Sequence, residues 1–595
     1  MPLEAVRPPN SPSIKLPLTV LSCAAIAAPA LLAFNVPPSA TLLNQAAALM
    51  GWGTLALVLA SSVAFQPESR RESAPARATL AALLMLVVAA LAAAAHGLPW
   101  PLVVSSAGML LAACVVLVVG FLVGRSPDQR APVFNAFCVA LCIAGLLSFI
   151  VAIIQSFAPQ WADGNWIARP ATPGRAGGNL RQPNHLSSLL VWSLVALACL
   201  HEAWAERPRD PHLAIARVAS LFAMAALVFA IVLTVSRTGM VCVVLLAVWG
   251  LIDRGLSRFT RVLLLLMPVL YVLSWMLATA GVQTFAGDSQ IHGSDPSSSR
   301  FGIWANALSL IAQHPWLGVG WGEFNFAWTL TPFPGRPGAF FDHTHNLPLQ
   351  LLVELGIPLG TLVMALLLWA LWKAFVAARR AASTDGLTQR GALVMVLTMA
   401  VHSMLEYPLW YAYFLLPMAF AFGICLGGIR ETRELAAPAV ARRISTALAI
   451  GSALLVVGAI VSVLDYMRVV VIFSPPENAA PLSERIADGQ RSWLFAHHAD
   501  YAAGTIAEHP GEALGSFKRS THYLLDTRLM MAWARALEES GDTDRARYVA
   551  QRLREFNNPG AAEFFAPCEA PKAASTPLPF QCLQPTRPLS FEDFR

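Results

Sequence analysis

The chain reads as an all-α, polytopic integral membrane protein that ends in a small helical domain outside the bilayer. Charge is scarce: 13% of its 595 residues are Asp, Glu, Lys or Arg and 56% are hydrophobic, whereas an average soluble domain is about 25% charged. Apolar runs long enough to cross a bilayer recur along most of the chain, a crossing helix needing roughly 20 residues. These runs are continuous rather than alternating, which argues against a transmembrane β-barrel.

About thirteen spans follow from the runs: 17–34, 41–64, 78–95, 100–124, 134–157, 186–203, 214–234, 238–252, 262–281, 347–372, 391–407, 409–428 and 444–466. The first resembles a signal peptide in length, but no small-residue cleavage site precedes the second, so it is read as retained.

Arginine and lysine near the span ends set the orientation. Arg7 and Lys15 precede the first span, and Arg70, Arg71 and Arg77 follow the second. Arg125 and Arg130 follow the fourth, and Arg207, Arg209 and Arg217 lie between the sixth and seventh. Arg254, Arg258 and Arg261 follow the eighth, Lys373, Arg379, Arg380 and Arg390 the tenth, and Arg430, Arg433, Arg442 and Arg443 the twelfth. Every second loop is therefore basic and cytoplasmic. The N-terminus lies inside, and an odd number of spans sends the tail after 467 outside.

Three regions result: N-terminal transmembrane helices (1–130), a core of spans with long outer loops at 158–185 and 282–346 (131–466), and the exported tail (467–595). Loops of such length in a compact domain are usually functional. Within the second, Ile303, Trp304, Leu308 and Ile311 have helical spacing and predict a short helix along the membrane surface. Gly318, Gly320 and Gly322 then predict a turn.

In the tail, Leu529, Trp533, Ala536 and Leu537 mark one helical face, and Ala546, Val549, Ala550, Leu553 and Phe556 a second. Asp542 or Thr543 is a cap between them. A tetratricopeptide-type hairpin and a plain helical domain both fit this pattern. Seven cysteines fall in predicted spans, where they act as small apolar residues. Cys568 and Cys582 fall in the tail, where an oxidising compartment favours a disulfide.

Arginines on the outer face are few: Arg169, Arg175, Arg181, Arg237, Arg300 and Arg336. Arg237, in "TVSRTG", stands where two spans meet, and Arg300 closes the run "DPSSSR". A guanidinium fork suits phosphate oxygens; anchoring to lipid headgroups is the alternative. "FDHTHNLPLQ" places His345 and Asn346 where the second outer loop becomes a span. An imidazole there suits general-base work, oriented by Asp342 or Glu354; a structural interfacial histidine is the alternative. "DHTH" also has alternate donors for a metal, without an obvious third or fourth ligand.

"HNLPLQLLVELGIPLG", from His345 and Asn346 to Gly356 and Gly360, resembles the signature of the O-antigen ligase and polymerase (Wzy/ligase) superfamily of bacterial glycan-transferring membrane enzymes. "SRTG" at 236–239 and "SRFGIWANALSLIAQHPWLGVGWGEF" at 299–324 are similar to further blocks of that superfamily. "GGNLRQPNHLSSLL" at 177–190 and "HSMLEYPLWYAYFLLP" at 402–417 resemble a narrower branch, the PglL-type protein O-oligosaccharyltransferases. The resemblance covers about 130–430.

It implies a GT-C-like membrane fold in the bacterial inner membrane, with a periplasmic C-terminal domain. It implies en bloc transfer of an oligosaccharide from an undecaprenyl-diphosphate-linked donor to Ser or Thr hydroxyls of exported, pilin-like proteins. His345 would be the base, and Arg237 and Arg300 would bind the diphosphate. Gln182 and Tyr407 would position substrate, with Asn184, His185, Glu406 and Asn346 as further candidates. No cofactor or metal is implied, and the partners are the lipid-linked glycan, an acceptor protein and the bilayer, with no nucleic acid. Transfer to lipid A core or a growing glycan is the nearest alternative. A transporter or flippase is the remote one, because the spans are nearly free of charge and the polar groups collect on one face.

Overall fold

The computed structural model describes residues 12–62, 74–205, 212–281, 285–287, 297–381, 383–429, 438–569 and 578–595. Arg7, Arg70, Arg71, Arg207, Arg209, Arg430 and Arg433, which carry part of the charge alternation, lie outside them, as do 282–284 and 288–296 of the second outer loop.

All thirteen expected spans fall on helices: α1 (Pro12–Leu31), α2 (Leu42–Ser62), α3 (Ala74–Ala92), α4 (Trp100–Arg125), α5 (Pro127–Phe157), α6 (Pro183–Ala205), α7 (Leu213–Leu233), α8 (Arg237–Ile252), α9 (Arg258–Gly281), α12 (Leu347–Arg380), α13 (Ser383–Ser403), α14 (Ala412–Gly427) and α15 (Pro438–Phe473). Nine of the described helices are long and apolar enough to cross a membrane, and three shorter apolar ones begin at Leu16, Arg237 and Ala412. α13 meets neither description. The expected span 391–407 is too long: α13 stops at Ser403, and Glu406 and Tyr407 lie in the turn before α14.

Helices in lipid associate by close van der Waals packing, which small residues permit. Gly120 and Gly124 of α4 face Gly423 and Gly427 of α14 in two GxxxG patterns. A Cβ at Gly124 would lie 2.5 Å from the Ile424 carbonyl oxygen, and one at Gly423 would lie 2.7 Å from the Phe121 nitrogen.

The second outer loop carries α10 (Ser297–Gln313) and α11 (Phe324–Leu330). The buried face of α10 is Ile303, Ala307, Leu310 and Ile311, while Leu308, expected on that face, is exposed. The glycine turn is not free. Gly318, Gly320 and Gly322 all have positive φ, and the segment is bonded to α12 by Val319 N–H to Val353 O (2.8 Å) and Gly320 N–H to Glu354 O (3.1 Å). α12 breaks there at Gly356 (φ 75°, ψ 171°), and Ile357 N–H donates to Pro315 O at 2.8 Å. A Cβ on Gly356 would strike the Trp316 carbonyl.

The tail holds α16 (Leu482–Gly489), α17 (Ala496–Ile506), α18 (Leu514–Ser520), α19 (Thr527–Glu539), α20 (Thr543–Glu555) and α21 (Ala562–Glu569). α19 and α20 form the expected hairpin, and the Asp542 side chain caps α20. Cys568 and Cys582 are bonded, their Cα atoms 5.3 Å apart. The tail is not a separate body. Phe324, Phe326 and Trp328 of the outer loop share one apolar core with Phe517, Leu529, Val549 and Phe556. His522 contacts both oxygens of Glu323 at 2.9 Å. Tyr548 donates to Leu330 O at 2.7 Å, and Arg336 pairs with Glu555 at 3.3 Å.

Candidate functional site

The site forms where five segments meet at the loop ends of the helices: the turn before α6, the α7–α8 junction, the first turn of α10, the start of α12, and the 404–411 turn. Asn346 begins α12 as its N-cap, its side chain accepting from Leu349 N–H at 3.1 Å and donating to Met404 O at 3.1 Å. His345, immediately before the cap, is left-handed at φ 55°. Its neighbour Thr344 is held from both sides. The Trp304 indole donates to its carbonyl at 2.9 Å, and Gln350 Oε1 accepts from its N–H at 2.8 Å.

His345 Nδ1 lies 2.8 Å from Glu406 Oε2. The other carboxylate oxygen, Oε1, accepts from Arg300 at 2.6 Å and from the Asn184 amide at 3.0 Å. Burial pushes the Glu406 carboxyl up, but the hydrogen bond and charge of His345, with the charge of Arg300, outweigh it and hold the group below the usual carboxylate range. An ionised carboxylate accepts only, so Nδ1 is the nitrogen that carries a proton toward it, and in the neutral imidazole that leaves the lone pair on Nε2. Neither Asp342 nor Glu354 bonds the imidazole directly. Asp342 pairs with His343 at 3.2 Å, and Glu354 accepts from Gln350 at 2.9 Å.

The network continues through Asn184. Its Oδ1 accepts from Ser236 Oγ at 2.7 Å, and Ser236 receives Ser187 Oγ–H at 3.0 Å. Ser236 is the N-cap of α8 and places Arg237 in its first turn. A cavity of about 520 Å³ opens beside Arg237, with Met240, Val244, Tyr271, Val272 and Met276 among its walls.

Of the four described non-glycine residues with positive φ, three (Arg181, Val235 and His345) stand next to site segments. Such strained backbone collects at functional sites. For the β-branched Val235 (φ 51°) it is especially unfavourable.

The other expected residues separate into groups. Tyr407 stacks on His343 (ring centroids 4.3 Å apart) and meets His345 edge-on at 5.0 Å. Burial, then the Asp342 charge, raise its phenol, so it stays protonated. Gln182 caps α6, its Oε1 accepting from His185 N–H at 2.7 Å, and His185 turns inward to Tyr413 at 3.1 Å. Several of the arginines expected on the outer face are engaged elsewhere: Arg175 with Thr234 O at 3.1 Å, Arg181 with Ala40 O at 3.0 Å, and Arg336 with Thr329 O at 2.9 Å. Among the described residues, no group of three or more His, Cys, Asp or Glu side chains is arranged to hold a metal.

Sequence reasoning missed the direct bond from Glu406 to both His345 and Arg300. One signal was present, a lone acid between two apolar runs in "HSMLEYPLWY". It also missed Ser236, although a serine opening an apolar run is a recognisable N-cap.

Residues 222–382 match the family model described as O-antigen ligase. Residues 391–565 match the C-terminal region of a virulence factor membrane-bound polymerase, and 176–201 match a protein glycosylation ligase model. A general O-oligosaccharyltransferase of Acinetobacter baylyi is 30% identical over 351 residues, covering 54% of this chain and 55% of that protein. A ComP-specific O-oligosaccharyltransferase of the same organism is 26% identical over 315 residues, covering 52% of this chain and 54% of that protein. The chain thus spans about half the length of the curated relatives it matches. His345, Arg237 and Arg300 all lie in the region that matches the O-antigen ligase model, Asn184 in the region that matches the protein glycosylation ligase model, and Glu406 in the region that matches the polymerase C-terminal model.

Proposed function

We propose that this protein transfers an oligosaccharide en bloc from an undecaprenyl-diphosphate-linked donor to Ser or Thr hydroxyls of exported, pilin-like proteins, on the periplasmic face of the inner membrane. The observation that carries this reading is the His345–Glu406–Arg300 cluster, linked through Asn184 and Ser236 to the start of α8. It brings an imidazole suited to act as a base and a guanidinium cation onto the two oxygens of one carboxylate. The apolar cleft between α8 and α9 suits an isoprenoid tail, and Arg237 stands where its diphosphate would emerge.

In this reading the hydroxyl oxygen of the acceptor attacks the anomeric carbon of the first sugar. The bond from that carbon to the diphosphate oxygen breaks, its electron pair leaving with the diphosphate. The hydroxyl proton passes to His345 Nε2. A hydroxyl is a poor nucleophile, and a positioned base contributes about 10²–10⁴-fold. Arg237 and Arg300 counter the charge on the leaving group, so the site's cations are guanidinium groups rather than a metal. Glu406 fixes the imidazole, and Tyr407 and Gln182 are assigned to substrate positioning. The two relatives named as O-oligosaccharyltransferases support the protein acceptor.

A second reading, transfer to lipid A core or a growing glycan, is favoured by the O-antigen ligase and polymerase matches. Incubating the purified chain with lipid-linked glycan and a mixture of protein and lipid acceptors separates the two. Label in the protein fraction supports the proposal, and label confined to the lipid fraction replaces it. The orientation is tested in spheroplasts by protease. Cleavage of the tail by external protease agrees with it, and full protection until lysis opposes it.

A further inference from the structure

Three residues behind His345 form a relay that the proposed reaction does not otherwise use. Glu354, on the second turn of α12, is 4% exposed, Gln350 one turn earlier 2%, and Thr344 is fully buried. The Gln350 amide N–H donates to Glu354 Oε1 at 2.9 Å, and its carbonyl accepts from Thr344 N–H at 2.8 Å. An amide side chain has two orientations related by a flip, and only its partners choose between them. Glu354 Oε1 accepts the amide N–H, and this contact turns the carbonyl toward Thr344. The next residue after Thr344 is the left-handed His345. That conformation costs on the order of 1–3 kcal/mol and persists only where its surroundings enforce it.

Glu354 is itself held at both ends. Its carbonyl accepts from Gly320 N–H at 3.1 Å, and the helix is broken two residues later at Gly356. A Cβ at Gly318 would come within 2.6 Å of the Gly356 nitrogen, so the turn and the break lie backbone to backbone. The acid therefore stands at a fixed height below His345.

We infer that Glu354 is a positioning residue: through Gln350 it sets the turn that aims His345, and so it governs turnover rather than donor affinity. This rests on His345 being the base. A carboxylate buried at the mouth of a transmembrane helix is costly unless something requires it. Holding a polar amide in one of its two orientations is such a requirement, and leucine or methionine there could not meet it.

The test compares Glu354→Leu, Glu354→Gln, Gln350→Ala and His345→Ala in the purified full-length protein, with kcat, the donor KM and thermal stability measured for each. Glu354→Leu is expected to lose about 100-fold in kcat, the usual effect of misplacing a reacting group by about 1 Å, with donor KM unchanged. Glu354→Gln keeps an acceptor for the Gln350 amide and is expected to regain most of that loss. Gln350→Ala should match Glu354→Leu, and the double variant should be no worse than either, because both cut one relay. If Glu354→Leu does not fold, Gln350→Ala and Glu354→Gln carry the comparison. A Glu354→Leu or Gln350→Ala enzyme within twofold of the wild-type kcat, beside an inactive His345→Ala, overturns the relay and leaves the base assignment intact. An active His345→Ala overturns the base assignment itself.

Discussion

Replacing Glu406 by glutamine removes one charge and no volume, and the hydrogen bonds around the carboxylate fix the consequence. It serves three donors: His345 Nδ1 at 2.8 Å on one oxygen, and Arg300 at 2.6 Å and Asn184 at 3.0 Å on the other. An amide has one oxygen. Placing that oxygen toward Arg300 and Asn184 satisfies two donors and turns the amide N–H₂ toward His345. Nδ1 must then accept, the proton moves to Nε2, and the lone pair facing the substrate is gone. The opposite amide orientation keeps the imidazole correct but sets N–H₂ against a guanidinium and an amide donor, which is the poorer arrangement. The expected loss is therefore most of a general base's contribution, about 10²–10⁴-fold, or about 2.7–5.4 kcal/mol of barrier at 1.36 kcal/mol per tenfold. The assay is single-turnover transfer at saturating donor, with glycosylated acceptor resolved by mass. Glu406→Gln should fall close to His345→Ala while donor binding stays measurable. A Glu406→Gln rate within tenfold of wild type would show that the imidazole is oriented by something else.

Glu406 also makes a pH prediction. Its carboxyl is held below its ordinary value, net of an opposing effect of burial. Its contribution to stability is then fully present above the usual glutamate range of about 4.3 and lost as pH falls through the native value. Melting temperatures of wild type and Glu406→Gln should differ at neutral pH and converge in acid; a constant difference would contradict this. Arg237→Lys and Arg300→Lys should each lower activity despite unchanged charge, because an ammonium cannot form the planar fork; full activity in both would leave no role for fork contacts. Gly356→Ala should destabilise the protein by about 1–3 kcal/mol from its positive-φ, extended-ψ backbone alone, a region open essentially only to glycine, with a further cost from the Trp316 carbonyl; an unchanged melting temperature would mean the α12 break relaxes freely.

The helices were legible because hydropathy is a local property and the bilayer demands it of every span. α6, α12 and α15 needed only their own residues to be found. The end of α13 was not legible, since "HSMLEYPLW" is apolar enough to continue a span, and only the fold shows that Glu406 lies beside His345. Those two residues are 61 positions apart, and no periodicity connects them. The arginines were half-legible: scarcity on the outer face singled out six, but deciding that Arg181 and Arg336 serve the backbone needed their carbonyl partners. The tail's helical faces were read correctly, yet not what they cover. Trp328 and Phe326 gave no sign in sequence that their partners lay two hundred residues later in Phe517 and Phe556. Each large side chain buried there is worth about 1.5–3 kcal/mol. Deleting 480–595 therefore uncovers the loop that leads to His345, and it is expected to cost folding.

The most direct measurement tracks one reaction from both ends. The purified protein in liposomes is given lipid-linked oligosaccharide and a Ser/Thr-bearing exported acceptor, and intact acceptor mass and released undecaprenyl diphosphate are quantified together. The acceptor should gain the mass of one whole oligosaccharide per diphosphate released, and His345→Ala should produce neither while still binding donor. Equal transfer by His345→Ala, or diphosphate released with no mass added to protein, would contradict a histidine-based transfer to protein hydroxyls.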